Sequence, residues 1–205
     1  MADEHLITDL AALERLYGTP GEASLRKETD RLTPGYRAMV ESSPFLVLAT
    51  NGPEGLDASP RGDQPGFVAV EDERTLLLPD RRGNERIDSL RNIVGDPRVA
   101  LLFLIPGIGE TLRVNGRAAI SAAPALLQRF VVDGKAPRTV LVIRVEKVFF
   151  QCSRAVVRAR LWDPAGHVER AAVPTPGRIL AELAAGFDGE AYDRALPDRV
   201  RQTLY

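Results

Sequence analysis

The sequence runs to 205 residues, with 27 Lys and Arg against 28 Asp and Glu and a net charge of -1. That length holds one substantial hydrophobic core and leaves little room for a second. The even charge excludes surface-wide attraction to nucleic acid or an anionic membrane, so any anion site must be local. A single cysteine, Cys152, rules out an internal disulfide, and with only His5 and His167 no Cys/His cluster reaches metal-ligand spacing.

The start, "MADEHLITDL", is acidic and lacks the apolar core of a signal peptide. The runs "FLVLAT" (45–50) and "VALLFLI" (99–105) fall far short of the roughly 20 residues of a spanning helix. A soluble, cytoplasmic protein with no membrane partner is the expectation. "HLITDLAALERLYG" has helical apolar spacing with Gly18 as its stop, and "TPGYRAMVESS" opens with Thr33 as N-cap and Pro34 in the first turn, so two helices precede the first strand. From Phe45 the texture turns to β: "FLVLAT", the turn "NGPEG", "LDASPRG", "GFVAV", the turn "EDER" and "TLLLP", read as antiparallel hairpins. "NERIDSLRNIVG" (84–95) is predicted helical, with Ile87, Leu90, Ile93 and Val94 on one face. Then follow a hairpin over 98–121 turning at "PGIG", a helix "APALLQRFVVDG", and the long strand "RTVLVIRVEKVFFQC". Beyond Trp162 the chain is polar and Pro-rich, with "RILAELAAGF" as a last helix. Six or seven strands joined mainly by hairpins predict a mainly β (α+β) fold, a small antiparallel barrel rather than a doubly wound sheet.

Four segments could carry chemistry. "DRRGN" (80–84) links a strand to a helix start, where backbone amides and the helix dipole favour an anion; Arg81, Arg82 and Gly83 would complete a phosphate cradle. The alternative is a solvated turn with Arg81 and Arg82 paired to Asp80 or Glu85. "ASPRGD" (58–63) places Arg61 where it could reach the same anion, and Pro60 argues for an edge, a bulge or a strand neighbour replaced by ligand; a plain strand end is the other reading. "PGIG" followed by "ETLRVNG" is a hairpin turn and not a dinucleotide loop, because no helix follows Gly109. Its strand sets Thr111, Arg113 and Asn115 on one face. "QCSRAVVRARLWDP" (151–164) could cover a planar ligand with Arg154, Arg158, Arg160 and Trp162, or be a packed crossing to the tail. Cys152 is expected to be a buried small side chain, and both histidines solvated.

Taken in order, these pieces resemble the pyridoxamine 5′-phosphate oxidase-like family of FMN-binding split β-barrels, over about residues 40–165. The likeness is nearest to a bacterial branch carrying "DRRGN" before a short helix. It implies FMN as cofactor, with its phosphate gripped by Arg81 and Arg82 beside Gly83 and Asn84, and with Arg61 approaching the phosphate or ribityl chain. Ser59 and Pro60 would flank the flavin ring, and Thr111 stands where the oxidase has a glutamine. The resemblance also implies a homodimer with sites at the interface, Ser153 and Arg154 serving the partner's site. Residues 1–44 would be a helical extension, 45–165 the FMN-binding barrel, and 166–205 a tail of the same domain. The tail "DGEAYDRALPDRVRQTLY" lacks the oxidase's "RLAP"-like substrate segment. The expected activity is therefore an FMN-dependent oxidoreductase on a small organic substrate, and not a true pyridoxamine phosphate oxidase. The alternatives are a non-catalytic flavin- or haem-binding protein for storage or sensing, and a structural dimer with an empty cleft. Haem would call for an axial histidine in the barrel, where neither His5 nor His167 falls.

Overall fold

The computed structural model describes residues 5–205, so the first four residues of the proposed N-terminal extension lie outside it. Three short helices lead in: α1 (Leu10–Leu16), α2 (Glu22–Arg26) and α3 (Pro34–Ser42). The third begins as its sequence dictates, the Thr33 hydroxyl accepting from the Tyr36 amide and Pro34 opening the first turn. The first ends at Tyr17, one residue before Gly18. The second was not foreseen; its 5 residues bury no side chain, so no apolar stripe announces it.

Seven antiparallel strands follow. They are β1 (Phe45–Gly52), β2 (Gly55–Gly62), β3 (Ala69–Asp72), β4 (Thr75–Asp80), β5 (Arg98–Leu104), β6 (Thr111–Ser121) and β7 (Thr139–Gln151), in the spatial order β2-β1-β5-β6-β7-β4-β3. Period-two alternation sends Leu46 and Leu48 of β1, Leu101 and Phe103 of β5, and Leu112 and Val114 of β6 into one core, joined by Leu76, Leu78 and Ile143. Each such side chain stabilises the fold by roughly 1.5–3 kcal/mol through apolar burial. On β7 the alternation slips once: the register with β6 shifts between Asn115 and Gly116, and Glu146 and Lys147 are both exposed. Gly116 allows that bulge, because a Cβ there would fall 2.1 Å from the Arg144 carbonyl oxygen.

No ladder joins β2 to β4, so the barrel is split along one side, and side chains span the gap. Arg81, just past β4, reaches Asp63, just past β2. Ser89 of α4 (Asp88–Gly95) donates to Asp57 of β2. The same helix buries Ile93 and sends Asn92 to the Thr50 hydroxyl of β1. It starts at Asp88 and not at Asn84, because Glu85 and Ile87 hold left-handed backbone with φ of 62° and 54°.

The predicted strand "GFVAV" shortens to β3, with Phe67 and Val68 buried in the turn before it. The predicted helix over 123–134 shortens to α5 (Pro124–Gln128), since the chain turns back through left-handed Asp133 and Gly134. After β7 come α6 (Arg154–Ala159), α7 (Pro176–Leu183) and α8 (Gly189–Thr203). The last two cross closely at Gly177 and Gly189, and the Gly177 amide donates to the Asp193 carboxylate. Helix α8 went unread because Pro197 interrupts a mostly polar pattern; its one local signal is Asp188, which caps it by accepting from the Ala191 amide. Among the described residues no helix is long and apolar enough to cross a membrane.

Candidate functional site

A cavity of about 550 Å³ opens in the split. It is lined by the end of β2, Ser59 to Gly62, by the link from Asp80 to Leu90, and by residues 135–139 with Tyr205. β2 is an edge strand, which is where a proline is tolerated, so Pro60 loses no ladder bond to β1. The Arg61 guanidinium folds back to donate to the Pro60 carbonyl at 2.9 Å.

The two adjacent arginines divide their work. Arg81 is braced: its Nε donates to Asp63 at 2.7 Å and its Nη1 to the Phe130 carbonyl at 2.6 Å. Its partner is thus Asp63, and neither Asp80 nor Glu85. Those bonds engage two of the roughly five N–H donors a guanidinium carries, leaving the others for a ligand. Arg82 is exposed and has no ion pair or hydrogen bond among the described residues. The Asp63 side chain is only 4% exposed. Burial pushes its carboxyl up, but hydrogen bonds from the Tyr205 phenol, the Gln64 amide and Arg81 outweigh it and hold the group below the usual carboxylate range. Asp80 goes the other way: burial raises it, the Arg61 and Arg138 charges pull it partly back, and Glu85 adds to the rise.

Several features of the wall suit a bound anion. Arg61, Arg81, Arg82, Arg86, Lys135 and Arg138 outnumber Asp80, Glu85 and Asp88 around the cavity, in a chain whose net charge is -1. The Thr139 hydroxyl is buried in the wall with no hydrogen-bond partner. A β-branched residue at positive φ, as at Ile87, is a strained conformation of the kind that clusters at ligand clamps. At Gly83 an added Cβ would meet nothing within 4 Å, so nothing in the chain itself demands a glycine there.

Ser59, Pro60, Arg61, Arg81, Arg82, Gly83 and Asn84 therefore come together around one cavity. Thr111, Ser153 and Arg154 do not join them. β7 separates the two groups: Thr139 at its start lines the cavity, and Gln151 at its end leads to Ser153 after a strand path of about 40 Å. Thr111 bonds Gln151 across the β6–β7 ladder, Ser153 lies against Gly109, and the Trp162 indole donates to the Ile108 carbonyl at 2.7 Å. Within one chain, residues 151–162 form a crossing to the tail in which no side chain is fully buried and most are exposed. Cys152 is exposed, not buried, because it lies past the end of the strand. Both histidines are exposed. Sequence reasoning missed Lys135, Arg138, Thr139 and Tyr205; the basic turn "DGKAPRT" signals the first two, and nothing local signals Tyr205.

The sequence model of the pyridoxamine 5′-phosphate oxidase family matches residues 32–152, more than half of the chain. Among solved structures, HupZ of Group A Streptococcus is 20% identical, covering 60% of this chain and 95% of that one with a TM-score of 0.49. A Lactobacillus delbrueckii protein provisionally named a pyridoxamine 5′-phosphate oxidase is 21% identical over 59% of this chain and 95% of its own, with a TM-score of 0.45. General Stress Protein 26 of Bacillus anthracis is 16% identical, covering 55% and 88%, with a TM-score of 0.42. No curated protein matches the chain. With the family match spanning every strand of the split barrel, the chain belongs to the pyridoxamine 5′-phosphate oxidase family.

Proposed function

We propose that this protein is an FMN-dependent oxidoreductase acting on a small organic molecule. Its family typically binds a flavin. The observation that carries the reading is the meeting of "SPRG" and "DRRGN" across one basic cavity, whose volume of about 550 Å³ lies within the usual range for cofactor sites. In this reading Arg82 and the unengaged N–H groups of Arg81 bind the FMN phosphate, Asp63 fixes the Arg81 plane, and Asn84 and the backbone at Gly83 close around the phosphate oxygens. Arg61 reaches the phosphate or ribityl chain, and Thr139 supplies a hydroxyl that has no other partner. Ser59 and Pro60 flank the ring. When bound, FMN supplies the hydride or electron transfer, so the chain itself needs no nucleophile. Asp80, half-buried and held protonated to higher pH than an ordinary aspartate, is the group placed to hold a proton beside the cofactor.

The site is completed by a second copy. Thr111, Ser153 and Arg154 lie at the other end of β7 and line no part of their own chain's cavity, so in a two-fold dimer they serve the partner's. Residues 45–165 are the FMN-binding barrel, and the terminal helices belong to the same domain. Because the tail offers no second phosphate clamp of the oxidase kind, pyridoxamine phosphate is a poor substrate.

Titration with FMN and riboflavin, followed by flavin fluorescence, tests this. Charge-assisted hydrogen bonds contribute roughly 1.5–3 kcal/mol each, so FMN should bind at least about tenfold more tightly. Equal affinities would remove the phosphate from Arg81 and Arg82. An intense Soret band in the purified protein would replace the flavin by haem. Flavin binding without turnover of any donor and acceptor would make the protein a storage or sensing module.

A further inference from the structure

Tyr205 has no part in the flavin reading, yet it makes three contacts at the anion end of the cavity. Its phenol donates to Asp63 Oδ1 at 2.6 Å, its ring centroid lies 5.5 Å from the Arg81 guanidinium carbon, and its main-chain oxygen accepts from the Lys135 ammonium at 2.9 Å. Asp63 is thereby shared, one oxygen taking Arg81 and the other Tyr205. Helices α7 and α8 pack on each other through Gly177, Gly189 and Asp193. Among the described residues, every hydrogen bond tying α8 to the barrel passes through Tyr205. By hydrogen bonds the helical hairpin is thus fastened to the site through one residue, which binds the carboxylate that orients Arg81.

We propose that Tyr205 is a latch: it docks the α7–α8 hairpin against the cavity lining and, through Asp63, holds Arg81 in its anion-binding orientation, so that a bound anion and the docked hairpin stabilise each other. The proposal rests on the reading that an FMN phosphate sits at Arg81 and Arg82. Cooperation rather than competition follows from the geometry. The phenol and the ring approach Asp63 and the guanidinium carbon without using the N–H donors of Arg81 that remain unengaged. Hydrogen bonding by the phenol also disperses the charge of Asp63, which leaves more of the Arg81 charge for the ligand. The bond from Lys135 is the one hydrogen bond by which Tyr205 engages a donor of a cavity cation. Tyr205 acts through Asp63 and Arg81, so it is a positioning residue.

Hydrogen exchange over residues 189–203 tests the latch in the full chain, with and without FMN, for the unsubstituted protein and Tyr205→Phe. The expected result is several-fold faster exchange of α8 in Tyr205→Phe, with β5 unaffected. FMN should slow α8 exchange in the unsubstituted protein and not in the variant, and should leave the variant about tenfold faster, the equivalent of one lost charge-assisted hydrogen bond. Unchanged α8 exchange in Tyr205→Phe would overturn the latch. So would FMN that binds by fluorescence yet leaves α8 exchange unaltered, or speeds it, the latter showing a tail that competes with the ligand. If FMN does not bind, the flavin reading falls, and the exchange of Tyr205→Phe in buffer and in inorganic phosphate still decides the latch.

Discussion

At the Thr139 end of β7, Arg61, Arg81, Arg82 and Arg86 face a cavity; at the Gln151 end, Arg154, Arg158 and Arg160 are exposed on the crossing to the tail. Both stretches read as arginine-rich turns in the sequence. What separates them is where the neutralising carboxylate comes from. Arg160 pairs three residues along the chain with Asp163, and both side chains are largely exposed, so the pair is local and worth little. Arg81 pairs across the split with a carboxylate just past a different strand, and the pair is nearly closed to water, at 16% and 4% exposure. A long-range, buried carboxylate turns an arginine into a fixed element of a site, whereas a local, wet one leaves it a surface charge.

The sharpest way to break this contrast is to delete each arginine in turn. Arg81→Ala strands a buried Asp63 and should cost about 3–5 kcal/mol of stability in urea unfolding; Arg160→Ala should stay within about 0.5 kcal/mol. Similar losses at both sites would erase the distinction. Arg82→Ala should separate binding from stability, weakening FMN by about tenfold or more in a fluorescence titration while leaving the urea midpoint nearly unmoved.

Acid sharpens the comparison from the other side. Asp63 is held below its unfolded value, so its contribution to stability is complete above about pH 4 and is lost as pH falls through the lower folded value. Asp80 is held above its unfolded value, so its contribution is complete below about pH 4 and is lost as pH rises through the raised one. The urea midpoint should therefore drop on acidification below pH 4, and Asp80→Asn should be more stable than the unsubstituted protein at neutral pH. A variant equal to the parent at pH 7 would take the burial of Asp80 out of the account. On the crossing to the tail, Trp162→Phe loses one hydrogen bond to the Ile108 carbonyl and should cost about 1 kcal/mol of stability, with FMN affinity unchanged.

Period-two alternation made the strands readable, because Leu46, Leu48, Leu101 and Phe103 bury on one face whatever lies beyond. It also made the cavity half readable, since Arg61, Arg81 and Arg82 carry their charge openly in turn-rich segments. What the alternation does not carry is contact between distant segments. Asp63 reads as the end of a strand and becomes the brace of the site only when β2 and β4 face each other over the split. Tyr205 is the extreme case, 142 residues from its hydrogen-bond partner. Helix α4 was placed four residues too early because "NERI" continues its apolar period, while the left-handed turns at Glu85 and Ile87 leave no trace in the pattern.

The strand order has a consequence for how the chain is made. β4 finds its ladder partner in β7, which is completed at residue 151, roughly 70 residues after β4 ends at residue 80. At a synthesis rate of roughly 5–20 residues per second, that is a wait of roughly 4–14 s. Throughout it the segment "TLLLP", whose leucines end up almost wholly buried, has only the short β3 to pair with. The nascent chain thus carries an unsatisfied apolar strand for seconds, and the long β6–β7 hairpin that relieves it is the step on which aggregation or capture by a chaperone competes with folding.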